Sequence, residues 1–507
     1  MKNQIKYIML MVLLVSFSTS CDRNFDELNT NKVAATAIDP AFQLNNATLG
    51  TSPSSFGILV FELGIVQQLI SPNSGVLAGA NYNQDNRAST QSNWQQYYRN
   101  VIKNTKDVIN RIKDDPTRAN LLQMTRIIQA YAFMVLTDSY GSIPYREAGI
   151  GYSNQVFFPS YDTQEFIYRD IIKELEEATA ALNASGRIET ADILYAGNID
   201  KWKKFGYSLL LRAGMRLSQV DPAGAQQVVA RAFQGGVITN NADNAFIRHD
   251  ANYTNPASVT LNATEAANFY LAAPFVDFLK NTNDPRLSAI AVRYVGARSG
   301  PEQVPARETY NPALQIGMPM GNDNAGAVRV AAELGLASFY DFSQLDRRRL
   351  AKLTAPSFLV TASQTLLHLA EARERGWITT GAAADYFQAG VRAHMEQISS
   401  VDPLTVIPAA AINDYIAANP YDPANAIRQI NTQYWVSSFM NGPEAFANFR
   451  RSNFPQLAPN PFPGREVPFI NRLTYPNSEI SVNSEKVNAA IAVQGPDDLG
   501  TKVWWDK

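Results

Sequence analysis

Apolar residues recur along most of this chain at intervals of three and four, the spacing that gathers side chains on one face of a helix. Between 93 and 113, Trp94, Tyr97, Val101, Val108 and Ile112 keep mostly to one side. Between 120 and 137, Leu121, Met124, Ile128, Tyr131 and Val135 do the same. Asp162 or Thr163 is placed to cap a helix carrying Phe166, Ile167, Ile171, Leu175 and Ala178, ending near Gly186. Further helices are predicted over 201–217 and 222–233, the second with Pro222 in its first turn. Others follow over 361–375, 382–398, 408–418 and 423–440. The predicted class is mainly α. The helices pair at tetratricopeptide-like length, although no strict repeat of about 34 residues aligns.

Three stretches break the rhythm. Residues 237–262 are Asn-rich, 294–345 mix Gly, Pro and Met with scattered aromatics, and 452–507 are rich in Pro and Asn. Long irregular segments within a compact domain are uncommon and tend to carry function. No Gly/Ser linker or composition shift divides the chain, so 41–507 read as a single domain.

The first twenty residues have another pattern. Lys2 and Lys6 precede an apolar run over 7–15, followed by residues 16–20, small and polar apart from Phe17. Nine apolar residues are too few to span a bilayer that needs about 20 in a helix, and the layout is that of a cleavable export signal. Cys21, the only cysteine, sits where cleavage falls. It reads as the lipidated first residue of a bacterial lipoprotein, even though Ser18 stands where such motifs usually carry Leu. Residues 21–40 then form a polar tether.

Composition narrows the chemistry. Of 507 residues 46% are hydrophobic, ample for a buried core, and the net charge of −2 argues against a protein dedicated to nucleic acid. Three His and one Cys leave no material for a His/Cys zinc site or a disulfide framework. The chain has no G-x-S-x-G, no phosphate-binding G-x-x-x-x-G-K-[ST], no H-E-x-x-H and no Cys pair. These absences lower the odds of an enzyme without excluding a triad assembled across the fold. His368 and His394, inside predicted helices, read as structural. Asp323 between Asn322 and Asn324 offers too few oxygens at loop spacing for calcium. Arg347, Arg348 and Arg349 read as a surface patch or as partners of internal acids. No metal and no cofactor is expected.

Several segments resemble one family. The run from Asp138 through Tyr140, Gly141, Ile143, Pro144 and Tyr145 to Ala148 is similar to a segment of SusD/RagB-like outer-membrane lipoproteins. So is the stretch from Ala191 and Asp192 through Tyr195, Gly197, Trp202 and Phe205 to Leu211, Arg212, Met215 and Arg216. Glu371 to Trp377, Tyr434-Trp435, Phe446 to Arg451, Pro468 to Pro476 and Asn483 to Asn488 follow in the family's order. Asn198, Gly206, Tyr207 and Gly214 depart from its usual residues. Physically these motifs are mostly architecture. Trp202, Phe205, Leu209 and Met215 would pack a helix, and Arg212, Arg216, Arg450 and Arg451 each need a buried carboxylate or carbonyl.

The resemblance implies a SusD-like helical fold with long loops in a non-enzymatic lipoprotein on the outer membrane, facing the cell exterior. Such proteins sit as a lid on a SusC-like TonB-dependent barrel and deliver oligosaccharides, or sometimes peptides, to it. No family motif fixes the ligand residues. Stacking on sugar C–H faces calls for flat aromatics with amides nearby, and the irregular loops supply Tyr82, Trp94, Tyr253, Tyr294, Tyr310, Phe339 and Tyr340. Asn81, Asn83, Asn311, Asn322, Asp323 and Asn324 lie near them in sequence. Trp94 opens an amphipathic helix, where a core position is the commoner outcome. The competing readings are a helical-repeat adaptor for protein partners and a surface glycan hydrolase, which would need two carboxylates about 5 to 9.5 Å apart in a cleft.

Overall fold

Helices built on the predicted periodicity dominate the computed structural model, which describes residues 38–465, 467 and 469–507. The export signal, Cys21 and all but the end of the proposed tether lie outside the described residues, as does Pro468. The core runs through Pro40–Lys507, which gather into one compact unit. Ala119–Tyr140 packs on Gln164–Ala181, Ile199–Arg216 on Pro222–Gly235, and Ala362–Glu374 on Ala383–Ser399. Ala426–Ser437 joins the last pair, giving a succession of antiparallel helices. Strands are few and short. Leu69–Ile70 pairs with Tyr270–Leu271, Ile143–Pro144 with Tyr161–Asp162, and Ala245–Ile247 with Ser357–Val360. In a three-stranded sheet Ala291–Tyr294 lies between Glu308–Thr309 and Gln344–Leu345.

The caps explain where helices begin. Thr163 accepts the Phe166 amide, Asn198 that of Lys201 and Asp221 that of Gly224, each satisfying an otherwise orphaned N–H. Thr361 and Gln364 form a reciprocal capping box. Some boundaries differ from the periodicity. The 93–113 helix starts earlier, at Arg87, and widens over Gln96–Ile102, where the Lys103 amide reaches the carbonyl of Tyr98, five residues back. That wider turn rephases the apolar face so that Trp94, Tyr97 and Val101 and then Val108 and Ile112 are all buried. The irregular stretches also hold helices. Pro256–Asn262, Asn324–Glu333 and Ser484–Gln494 are short, and Gly, Asn and Pro around them mask their pattern.

The family-like motifs meet in one buried polar network. Arg216 places Nε 3.2 Å from Asp138 Oδ2 and Nη2 2.7 Å from Glu444 Oε2. Arg212, one turn earlier, shares the same Glu444 oxygen at 3.1 Å and donates to the Leu359 carbonyl at 3.0 Å. Tyr168 and the Trp505 indole both donate to Asp138 Oδ1, and Tyr434 donates to Glu444. Arg451 forks onto both oxygens of Glu371 at 2.8 and 2.7 Å, while Arg450 donates to the carbonyls of Asp138 and Asn471. The four arginines therefore have the partners their burial demands. Trp202, Phe205, Leu209 and Met215 are fully buried, and Trp202 donates to Asp192 at 2.7 Å.

Candidate functional site

Away from the helix pairs, irregular segments converge around a small second core of Ile70, Tyr270, Ala272, Met318, Ala327, Ala331 and Phe342. Two aromatic groups are found in these loops. In the first, Tyr82 is buried, with its ring 4.7 Å from that of half-buried Phe462 and its hydroxyl donating to the Pro72 carbonyl. The Arg465 guanidinium lies 5.6 Å over Phe462 and donates to Gln84. The backbone here is closely fitted. Gly321 has φ +73°, and a Cβ on it would come 2.8 Å from Asn460 Oδ1 and 2.9 Å from the Phe462 nitrogen.

Amides hold this group together. Asn81 donates to the carbonyls of Ser71 and Asn322 and accepts the Gly321 amide. Asn83, itself at φ 46°, donates to the carbonyls of Asn460 and Arg465, and Asn460 donates to Ala80. Asn322 bonds Pro319 and Met320, and Asp323 caps Asn324–Glu333 by accepting the Gly326 amide at 2.8 Å. Asn81, Asn83, Asn322 and Asp323, which the sequence offers for sugar hydroxyls, are thus engaged in bonds within and between these loops. Among the described residues no group of three His, Cys, Asp or Glu is placed to hold a metal ion.

The second group flanks the three-stranded sheet. Phe339 and Tyr340 stack with centroids 4.2 Å apart, both half-buried, and Ser338 caps their turn. Tyr294 is buried on the central strand, with the Arg347 guanidinium 6.0 Å from its ring. Tyr310 is half-buried under Arg349, 3.8 Å above its ring, and donates to Glu308 at 2.7 Å. Burial, joined by the hydrogen bond to Glu308, pushes the Tyr310 phenol up to about 12. Asn311 is exposed and accepts the Ala313 amide. Arg348 pairs with Glu308 and Arg349 with Asp346, the internal pairing foreseen for this basic run.

The structure therefore brings Tyr82, Asn322 and Asp323 together in one loop junction, and Tyr294, Tyr310, Asn311, Phe339 and Tyr340 in another. Trp94 belongs to neither. It is buried among Tyr98, Tyr140, Tyr161 and Tyr475 in the main core. Tyr253 stacks on His249 and donates to the Leu49 carbonyl. Phe462 and Arg465 were not foreseen. Their only signal is a Phe between two prolines in the irregular 452–507 stretch. The histidines are structural. His394 takes a hydrogen bond from Arg286, His368 lies 4.4 Å from the Tyr434 ring, and burial lowers both well below the usual imidazole range. No described helix is long and apolar enough to cross a membrane.

Comparison with known proteins adds the following. The model of the SusD-like family, described as starch-binding and associating with the outer membrane, matches residues 32–476. A solved chitin-binding protein shares 30% identity at a TM-score of 0.80, covering 92% of this chain and all of the other. A Bacteroidetes SusD-like structure shares 25% at 0.80, covering 93% and 100%. A SusD homologue from Bacteroides uniformis has the same fold, with TM-score 0.74 at 23% identity over 92% and 99%. Among curated proteins there is no match.

Proposed function

This chain belongs to the SusD-like family, and from that membership we propose that it captures an oligosaccharide without altering it and delivers it to a SusC-like TonB-dependent transporter. In this reading residues 1–20 are removed, Cys21 is lipidated, 21–40 tether the protein to the outer membrane facing the cell exterior, and 41–507 form one domain. Several acyl chains give durable anchoring where a single chain would not. The observation that carries the proposal is end-to-end similarity to a chitin-binding protein at 30% identity. A chitin-type oligosaccharide is accordingly the ligand of choice.

The ligand rests on the loop face. Phe339, Tyr340 and Tyr310 are the half-buried rings of one loop junction, with the exposed amide of Asn311 next to Tyr310 in the chain, and Phe462 is the half-buried ring of the other. Tyr82 backs Phe462, Tyr294 lies in the same cluster as Tyr310 and Tyr340, and Asn322 and Asp323 fix the loop. Titration calorimetry with chitohexaose tests this. Tyr340→Ala and Phe462→Ala should each weaken binding about threefold to tenfold, the value of one aromatic contact. Unaltered affinity in both would remove the loop face from consideration.

A further inference from the structure

The Asn-rich stretch over 237–262 folds into a feature that the loop face does not use. Strand Ala245–Ile247 pairs antiparallel with Ser357–Val360, and the register sets Phe246 opposite Phe358. Ala245, Ile247, Leu359 and Val360 are buried in the core. A bulge falls between Ala245 and Phe246, and past it the alternation along each strand turns Phe246 away from Ile247 and Phe358 away from Leu359. Each is half-buried, and their centroids lie 5.4 Å apart at 48°. They line a cavity of about 600 Å³ whose other walls include Asn241, Arg248, Lys352 and Glu396.

That volume is within the range of small-ligand sites, about 300 to 1,000 Å³. Its chemistry is specific as well. Two adjoining rings, tilted 48° to each other, form an apolar shelf, and the Arg248 guanidinium lies over the Phe246 ring, 4.8 Å from its centroid. Arg248 and Glu396 are exposed, supplying a donor fork and an acceptor pair to the same space. His249 is a fixed wall, with Nε2 3.0 Å from Ser357 Oγ and Nδ1 3.1 Å from the Tyr253 carbonyl. Lys352 is held by Asp402 at 3.0 Å. An aromatic shelf bordered by one cation and one carboxylate fits a pyranose, whose C–H face is apolar and whose rim is all hydroxyl.

We propose that this cavity is a second saccharide site, in which a pyranose stacks on Phe246 and Phe358 while Arg248 and Glu396 bond its hydroxyls. The cavity shares no lining residue with the loop face. The proposal rests on the reading of the chain as a glycan binder and adds a second point of attachment. Two sites on one rigid body raise the retention of a long glycan through effective concentration, without strengthening either contact.

Calorimetry with chitotriose on the chain from residue 22 onward tests the proposal, with thermal unfolding as a control for folding. The wild type should take up two equivalents. Phe246→Ala/Phe358→Ala should take up one, and Arg248→Ala, at an exposed position that folding tolerates, should weaken one of the two about threefold. Unchanged stoichiometry and affinity in these variants overturns the second site. A single wild-type equivalent that only Phe462→Ala removes also overturns it and leaves the loop face standing. A single equivalent that only the sheet variants remove keeps the second site and overturns the loop face. No uptake by the wild type overturns both.

Discussion

Three buried glutamates give this protein opposing responses to pH. Burial alone would raise Glu444, but Arg212 and Arg216 together outweigh it and hold the carboxyl down to about 2. Glu371 is driven lower still against its own burial by Arg451. Depressed acids stabilise the fold above their unfolded value near 4.5, and that contribution is lost as pH falls through the folded value. Glu62 is opposite. Burial, only partly offset by Arg450 and by the Asn93 amide, pushes it up to about 8. A raised acid contributes fully below 4.5 and loses that contribution as pH climbs to 8. The buried histidines, all held below 6.5, add stability as pH rises to that value and oppose Glu62 there, so urea unfolding should show stability rising from pH 2 to 4.5 and a decline from about 6.5 to 8. Glu62→Gln should flatten the second limb only; an unchanged decline would mean that another group causes it. Arg451→Ala removes the buried one of Glu371's two arginine partners and leaves Arg375 and Asn431, and should cost about 1 to 3 kcal/mol in the same assay. The need of Arg212 and Arg216 for buried partners was legible in the sequence, because like charges one turn apart in an apolar helix require counterions, and the adjacent Arg450 and Arg451 raise the same need. The ligand-facing amides were not. Asn81, Asn83 and Asn322 look alike on paper whether they bond a sugar or a loop carbonyl, and only the fold reveals which.

At the scale of elements, the departures from the family's usual residues form a matched set. A Cβ on Gly206 would come 2.1 Å from Thr179 Oγ1, so the missing side chain lets Gln164–Ala181 and Ile199–Arg216 approach closely. Tyr207 likewise covers Gly235, where a Cβ would lie 2.4 Å from its ring. Gly206→Ala should destabilise by about 1 to 3 kcal/mol through overpacking. Thr179→Ala added to it should recover part of that loss in a double-mutant cycle; simple additivity would show that the two helices do not meet there. Long helices such as Ala119–Tyr140 were legible because a 3.6-residue pattern sustained over several turns has few competing explanations. Asn324–Glu333 was hidden because small Gly326, Ala327 and Ala331 fill its buried face while Val328 lies exposed, and its cap, Asp323, looks the same as an irregular Asn-Asp-Asn run. The outward pair of Phe246 and Phe358 depends on strand register across more than a hundred residues, which no local pattern encodes.

Across the whole molecule, the C-terminal segment is stitched into the buried polar network. Trp505 is buried, donates to Asp138 at 3.0 Å, and lies beneath the guanidiniums of Arg450 and Arg216 at 4.8 and 5.9 Å. Trp505→Ala should therefore lower stability by about 3 to 5 kcal/mol. A loss below about 1 kcal/mol in chemical unfolding would contradict this. Cys21→Ala should move the protein from the membrane fraction to the soluble one, and purification of the native chain in mild detergent should bring down a TonB-dependent barrel. Unchanged membrane association refutes lipid anchoring, and repeated recovery of the chain alone counts against the transporter partnership. The most direct test is to incubate the purified protein with chitohexaose, separate bound from free, and weigh what is released on denaturation. Intact hexamer, retained by the wild type and diminished in Phe462→Ala, is the expected result. Shortened oligomers, or no retained sugar at all, would contradict capture without chemistry.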